Sequence, residues 1–347
     1  MRLRRVSVDS PGLGRRRAGR GWVYLDVDGS RITDPEVIAR CKALVIPPAW
    51  RDVWICPAPN GHIQAVGTDD AGRRQYLYHP AWREKRDAEK HARVLELAQR
   101  LPAARRQVSI DLARPGMPHA RALAVAFRLL DRGFFRVGGE TYAEDNGSHG
   151  LATLRKDHVR IGKDGLLTFV YTAKSGQLRR LQLRDDDLVV PLRMLRRRRG
   201  GGEELLAYRD RGGWHDITST DINAYIKDRV GSDASAKDFR TWHGTVLAAL
   251  ELAARSADVE SERALLRAER EAVAAVAGYL GNTPAVSRSA YIDSRLIELA
   301  HDGETVDPGL ARRVIKPEEE TPPDTRGKPE QAVIDLLDES SANASSG

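Results

Sequence analysis

Three features of the 347-residue sequence predict an α+β fold, with a small β-rich N-terminal domain followed by a mostly α-helical domain that contains a β-hairpin insert. Up to Tyr78 the apolar residues alternate in short runs separated by Gly, Pro, Asn and Asp, the period of half-buried strands. From Arg83 they recur every three to four residues, the period of amphipathic helices. Within that helical stretch, Leu166 to Tyr171 and Gln177 to Leu183 return to alternation on either side of the turn Thr172-Ala173-Lys174-Ser175-Gly176. A chain of this length supports about two domains, each with its own core.

Residues 1–19 are rich in Gly, Arg and Ser without periodicity, and a flexible basic arm is expected there. The β-rich domain is expected over residues 20–82. Trp22 to Val27 alternates and ends in Asp28-Gly29, a hairpin-type turn. Asp34-Pro35 opens a short helix through Leu44, with proline at the first helical position, where its missing N–H is not needed. Trp54 to Cys56, His62 to Val66 and Arg73 to Tyr78 read as strands. The helical domain is expected over residues 83–315, with helices at 84–101, 118–132, 218–229, 237–256, 262–280 and 284–301. Gly281 stands where a helix-ending glycine would, and Thr283-Pro284 supplies an N-cap and a first turn. Leu151 to Arg160 reads as a third strand beside the hairpin. Residues 316–347, rich in Pro, Glu and Ser, read as an acidic disordered tail with one helical turn at Ala332 to Leu337.

Composition excludes several classes. A hydrophobic fraction of 41% with 30% charged residues fits a globular protein rather than a disordered one. No run of 18 apolar residues exists, so no spanning helix and no membrane partner is expected. The arginines at positions 2, 4, 5 and 15–17 have no apolar segment behind them and do not make a secretory signal. Cys41 and Cys56 form neither a disulfide framework nor a metal-binding CxxC. A cytoplasmic protein is expected. There is no P-loop, GxGxxG, HExxH, EF-hand or GxSxG sequence, and neither a nucleotide nor a metal is expected as cofactor. Asp185-Asp186-Asp187 reads as a helix start rather than a metal cluster.

Charge is uneven along the chain. The net charge is +7, yet residues 316–347 alone carry −5, which leaves +12 on the rest. Arginine supplies 46 of the 56 basic residues, and its planar fork suits bidentate contact with phosphate. A polyanionic partner is expected.

Several reactive-type residues stand in unusual settings. Arg136 lies between aromatics and glycines in Gly133-Phe134-Phe135-Arg136-Val137-Gly138-Gly139, and Lys174 occupies the hairpin turn. Lys237 and Arg240 are three residues apart at a helix start, Asn282 lies in a break between helices, and Tyr291 follows Arg288 and Ser289. Singly, each has a structural explanation: an ion pair for Arg136, a solvated turn for Lys174, a C-cap for Asn282, partial core for Tyr291. In combination, two arginines and a lysine can balance the charge of a phosphoryl-transfer transition state, and a tyrosine can serve as its nucleophile.

The ordered set Arg136, Lys174, Lys237/Arg240, Asn282 and Tyr291 resembles that of the type IB DNA topoisomerases, in their short poxvirus-like bacterial form. Supporting phrases are Val45-Ile46-Pro47-Pro48-Ala49-Trp50, Gly72-Arg73-Arg74-Gln75-Tyr76-Leu77-Tyr78, Phe135-Arg136-Val137-Gly138, Lys237-Asp238-Phe239-Arg240-Thr241 and Ser287-Arg288-Ser289-Ala290-Tyr291. The resemblance covers roughly residues 20–310. The resemblance implies a catalytic domain of the tyrosine recombinase/topoisomerase IB type, in which Tyr291 attacks a phosphate of duplex DNA to give a 3′-phosphotyrosyl link and a free 5′-hydroxyl. It further implies that Arg136 and Arg240 bind the non-bridging oxygens, Asn282 adds a hydrogen bond there, and Lys174 is the general acid to the leaving oxygen. Strand rotation then relaxes supercoils and the 5′-hydroxyl reseals the break, without ATP, metal or other cofactor. Asn282 departs from the histidine usual in poxviral and eukaryotic relatives; it can donate a neutral hydrogen bond but cannot carry charge or transfer a proton.

The resemblance also implies a monomer whose two domains clamp the duplex, associated with a bacterial nucleoid. Gln75, Tyr76 and Tyr78 match DNA-facing residues of the family, and Tyr142 and Lys237 are further candidates for phosphate contact. For Tyr76 and Tyr78, which share one strand face, lining the sheet's core is the competing reading. The run Arg196 to Arg199 is either a nonspecific DNA contact or a solvated helix end. Two other functions compete. A tyrosine recombinase shares the Arg/Lys/Arg/Tyr set but usually carries His-x-x-Arg where this chain has Lys237-x-x-Arg240, and brings a helical N-terminal domain. A non-catalytic DNA-binding protein would not need Tyr291.

Overall fold

In the computed structural model, which describes residues 2–139, 147–257, 259, 261–316 and 321–346, the Arg-rich segment expected to be a loose arm holds a strand. Strand β1 (Leu13–Ala18) pairs antiparallel with β2 (Gly21–Leu25), from Gly14↔Leu25 to Ala18↔Gly21. Gly19 takes a φ of +58° in the tight turn between them, a conformation that disfavours other residues. Arg15 belongs to the packing. Its guanidinium donates to the Ile46 and Trp50 carbonyls at 2.9 and 3.1 Å, and its Cζ lies 4.0 Å from the centroid of the Trp22 ring. An arginine held by carbonyls and an indole face can sit in a strand, and its charge hid that strand from the sequence reading.

The chain divides into two compact units, Met1–His91 and Ala92–Gly347. In the first, a five-stranded antiparallel sheet has the order β2-β1-β3-β4-β5, with β3 at Arg51–Ile55, β4 at Ile63–Thr68 and β5 at Arg74–Tyr78. Helix α1 (Pro35–Ala43) starts as expected, with the Asp34 carboxylate accepting from Glu36 N at 2.8 Å. Its Cys41 joins Leu13, Tyr24, Ile32, Ile46, Ile55 and Ala65 in a small core. Both cysteines are free and buried. On the edge strand β5, Leu77 packs against this core, while Tyr76 and Tyr78 stand on the other face, 38% and 37% exposed. Of the two readings of these tyrosines, the exposed one is observed.

The second unit is mostly helical. Helix α2 (Pro80–Leu112) begins in the first unit and continues through Pro102. The sequence reading ended a helix at 101, but Leu101, Ala104 and Val108 are all buried, and that packing outweighs one lost helix hydrogen bond. Helix α3 (His119–Gly133) leads to the Arg136 segment. A three-stranded sheet follows, with β6 (Val159–Ile161), β7 (Leu167–Thr172) and β8 (Leu178–Leu183) in that order. Only the end of the strand expected over 151–160 is extended; Lys156–His158 form one 3-10 turn.

Helix α4 (Asp186–Arg197) is followed by a hairpin that the sequence reading missed, β9 (Ala207–Asp210) and β10 (Gly213–Asp216). The Arg196 to Arg199 run divides here. Arg198 is buried and donates to the Leu195 and Leu205 carbonyls at 3.1 and 2.9 Å, which closes the end of α4. Helices α5 (Ser219–Val230), α6 (Ala236–Ser256) and α7 (Glu262–Leu280) come next. The helix expected over 284–301 is two, α8 (Pro284–Ala290) and α9 (Ser294–His301), because the Asp293 carboxylate accepts from Arg295 N at 3.1 Å and starts a new helix. Helix α10 is Pro308–Val314. Buried nearly all round, α6 is the central helix of a core that includes Phe127, Phe134, Phe135, Phe169, Phe239 and Trp242.

The tail expected to be disordered forms helix α11 (Lys328–Ser346), whose Val333, Ile334 and Leu337 are buried in that same core. A buried charge network holds it. Arg105 of α2 forms a bidentate pair with Asp131 of α3, at 2.9 and 2.7 Å, and donates at 2.8 Å to Glu330 of α11. Glu330 also accepts from Trp242 Nε1 at 2.9 Å, and His243 Nδ1 lies 3.2 Å from Thr325 Oγ1. Composition reads the acidic residues of this segment as solvated, whereas Glu330 is buried and paired inside the protein. Burial opposes ionisation of Asp131, but Arg105 and His243 outweigh it and hold its carboxyl far below the usual carboxylate range. Glu330→Ala leaves Arg105 short of a partner in a buried site and is expected to lower the unfolding free energy by about 3 kcal/mol. Urea denaturation of the full chain measures this, and an unchanged midpoint would contradict the docked helix.

Candidate active site

The C-terminus of α7 organises the site. Gly281 adopts φ +61°, its N–H donates to Gly278 O, and Asn282 N donates to Ala277 O at 3.0 Å. This is a Schellman ending, and it accounts for two of the carbonyls that a helix end leaves without partners. The next three carbonyls each take an arginine. Tyr279 O accepts from Arg179 Nη2 at 2.6 Å, Leu280 O from Arg240 Nη2 at 2.8 Å, and Gly281 O from Arg136 Nη2 at 3.1 Å. The three cations thus gather at the negative end of the helix dipole.

Each arginine arrives on a different element. Arg136 follows α3, whose last turn closes on Phe134 in the left-handed conformation, φ +53°. Phe134 and Phe135 are fully buried and anchor the loop, and its backbone is tied on the far side by Leu151 N to Arg136 O at 2.8 Å. Arg240 lies one turn into α6, 3% exposed, and also donates to the Phe134 carbonyl. Its helix start is secured by Asp238, which accepts from Ser235 N and Oγ at 2.9 and 2.7 Å and from Arg93 Nη2 at 3.0 Å. Arg179 comes from β8.

Asn282 Oδ1 accepts from Arg136 Nη2. Its Nδ2 is buried without a protein partner among the described residues, a departure from the usual pairing of buried polar groups. Tyr291 is the residue that ends α8. Its N–H donates to Ser287 O at 3.0 Å, and Thr245 Oγ1 of α6 donates to its carbonyl at 3.3 Å. A Cβ on Gly244 would come within 2.9 Å of that carbonyl, so the glycine allows α6 to approach. Helix α8 is further pinned by an ion pair between Arg288 and the buried Glu269 of α7, and Glu269 also meets His301 Nε2 of α9 at 3.0 Å.

The Tyr291 ring lies beside Arg240, 5.1 Å from ring centroid to Cζ. Burial pushes its phenol up, but Arg240, through charge and a hydrogen bond, and then Arg136 and Lys237 outweigh burial and hold it below the ordinary value. Arg240 in turn is lowered by its own burial and by the nearby Arg136, and remains a cation at neutral pH.

The structure therefore brings together Arg136, Arg240, Asn282 and Tyr291, with the exposed Lys237 acting on the same phenol. Lys174 is at the tip of the β7–β8 hairpin, exposed and outside this contact network, next to Ser175 at φ +66°. On the first unit, Tyr76 and Tyr78 stack with ring centroids 6.0 Å apart, Arg74 Cζ lies 5.9 Å from the Tyr76 ring, and Gln75 Nε2 donates to Asp69 at 2.9 Å. Tyr142 lies outside the described residues. The sequence reading missed Arg179, for which an arginine at one strand position gives no signal; only the register that sets it opposite Tyr171 does. Among the described residues no group of three or more His, Cys, Asp or Glu side chains is placed to hold a metal ion, and no helix is long and apolar enough to cross a membrane.

Because Tyr291 faces so much positive charge, its phenol should ionise below the usual value of about 10. An ultraviolet difference titration of wild type against Tyr291→Phe isolates this group. A midpoint at or above the ordinary value would contradict the electrostatic arrangement, and Arg240→Ala should move the midpoint up.

Known proteins carry the same organisation. Residues 79–305 match the family described as "Eukaryotic DNA topoisomerase I, catalytic core", and residues 21–69 match "Bacterial DNA topoisomerase IB, N-terminal domain". The chain is similar to the DNA topoisomerase 1B of Acanthamoeba polyphaga mimivirus, with 30% identity over 302 residues that cover 83% of this chain and 87% of that protein. The two matches fall on the sheet unit and on the stretch that carries Arg136, Arg240, Asn282 and Tyr291, and by them the chain belongs to the type IB DNA topoisomerases.

Proposed function

We propose that the residues at the α7 C-terminus relax supercoiled duplex DNA through a transient phosphotyrosyl break, with Tyr291 as the nucleophile. The observation that carries this reading is the convergence of Arg136, Arg240 and the unpartnered Asn282 amide beside the Tyr291 phenol. Tyr291 Oη, its proton passing to solvent, attacks a backbone phosphorus, and the P–O5′ bond on the opposite side breaks. Arg136, Arg240 and Asn282 Nδ2 donate to the non-bridging oxygens, where charge develops. Lys174 delivers a proton to the departing 5′-oxygen. The 3′-phosphotyrosyl ester retains the phosphoester bond, so the 5′-hydroxyl reseals it after rotation by the reverse path, without ATP.

The first unit is read as a DNA-contacting clamp domain, with Gln75 and the exposed Tyr76 and Tyr78 toward the duplex. Aromatic groups on an exposed strand face suit sugar and base-edge contacts, and the Gln75 amide, on the Leu77 face of β5 and held by Asp69, is the third candidate. Tyr142 and Lys237 are assigned to phosphate contact. Positive charge on the body of the chain supports salt-sensitive binding. The enzyme is read as a monomer acting on the nucleoid in a bacterial cytoplasm.

Plasmid relaxation in EDTA without ATP tests the central claim. Wild type is expected to remove positive and negative supercoils, whereas Tyr291→Phe should form no covalent adduct and bind DNA nearly as before; an adduct on that variant would sink the nucleophile assignment. Arg136→Ala and Arg240→Ala should each slow single-turnover cleavage by about 10²- to 10³-fold. Lys174→Ala should slow cleavage of a normal phosphodiester by about 10²-fold or more. A 5′-phosphorothiolate, whose sulfur leaves without an acid, should restore it. Failure of that rescue would exclude the general-acid role.

A further inference from the structure

Arg179 has no assigned role in the reaction above, yet it caps the same helix end as Arg136 and Arg240. It sits on β8 directly opposite Tyr171 of β7. Its guanidinium reaches the Tyr279 carbonyl at 2.6 Å, and its charge acts on the Tyr171 hydroxyl across the strand pair. Tyr171 is buried and stacked on Phe135, 5.9 Å between centroids, and Phe135 precedes Arg136 in the chain. A Cβ at Gly281 would fall 2.3 Å from Arg179 Nη1, so the guanidinium lies against the backbone of the helix end. One side chain therefore joins the hairpin to the segment that aligns Arg136, Arg240 and Asn282.

The position of this joint along the hairpin matters. Beyond the Tyr171↔Arg179 pair only Thr172↔Leu178 remains before the turn, which Ala173 N closes onto Gln177 O at 2.8 Å. Residues 174–178 are all exposed. Gly176 N also donates to Ala173 O at 3.1 Å within the turn, and His149 N to Thr172 O at 2.8 Å ties this end to a segment outside the hairpin. A lysine on such a tip reaches a leaving oxygen only if the base of the tip is fixed, because proton transfer needs hydrogen-bond reach. Displacement of a reacting group by about 1 Å costs about 100-fold in rate.

We infer that Arg179 is a positioning residue that ties the Lys174 hairpin to the α7 C-terminus, so that the proton donor and the phosphate-binding arginines share one frame. The inference rests on the roles proposed for Lys174 and Tyr291. It is tested by single-turnover cleavage with the full chain, on matched duplexes with a normal or a 5′-phosphorothiolate linkage. Arg179→Ala is expected to slow the normal substrate about 10- to 100-fold and to be restored to near the wild-type rate by the sulfur leaving group. Tyr171→Phe, which deletes one hydroxyl and carries the test if Arg179→Ala does not fold, should show the same pattern more weakly. An unchanged rate on the normal linkage overturns the inference. So does slowing that sulfur does not relieve in a variant of normal thermal stability, while Lys174→Ala is relieved; Arg179 would then act on the phosphate itself. If Lys174→Ala is not relieved either, the general-acid assignment falls and takes this inference with it, so the two failures are told apart.

Discussion

The structure of the site depends on one short stretch of backbone, the carbonyls of Tyr279, Leu280 and Gly281 at the end of α7. Arginines brought by β8, α6 and the loop after α3 each donate to one of them. Each such charge-assisted bond contributes about 2 kcal/mol, and the helix end supplies the equivalent of about half a negative charge. Three positive charges against half a negative one leave the pocket strongly cationic. Of these cations Arg240 and Arg136, with Lys237 beside them, lower the Tyr291 phenol against the effect of its burial. The three guanidinium groups are held by backbone carbonyls of the protein itself, and donors preorganised in this way need no reorganisation to act on charge that develops beside them.

Three mutually repelling cations need a rigid surround. The loop carrying Arg136 hangs from the buried Phe134 and Phe135, and Arg240 is fixed to the same Phe134 carbonyl. Behind this layer, Asp131 at the end of α3 and Trp242 and His243 of α6 belong to the Arg105–Glu330 network. The C-terminal helix α11 thus reaches, through two elements, the segments that present Arg136 and Arg240. Its acidic charges are partly internal counterions rather than a solvated tail competing with DNA.

The type of chemistry was legible because it needs particular residue types in a particular order. Arg136, Arg240, Asn282 and Tyr291 stand in short phrases whose spacing survives as geometry, and Gly281 and Thr283-Pro284 punctuate the helices as local rules require. Lys174 was legible as an exposed cation on a hairpin, and the structure places it at that tip. Strand β1 and helix α11 were not legible, for a shared reason. Their charged side chains are satisfied by long-range partners, the Ile46 and Trp50 carbonyls for Arg15 and the Arg105 guanidinium for Glu330, and composition alone reads such charges as solvated.

By itself the sequence determined the two-part α+β architecture, the amphipathic helices and the candidate residues Arg136, Arg240, Asn282 and Tyr291, because these follow from local periodicity, turn chemistry and side-chain type. Only the tertiary structure decided that Tyr76 and Tyr78 face outward, that α8 ends at Tyr291, that the acidic segment is core, and that Arg179 joins the site. Each of these depends on which distant backbone group or charge a side chain meets. Such pairings are set by sheet register and by packing around α6, and no local window of sequence contains them.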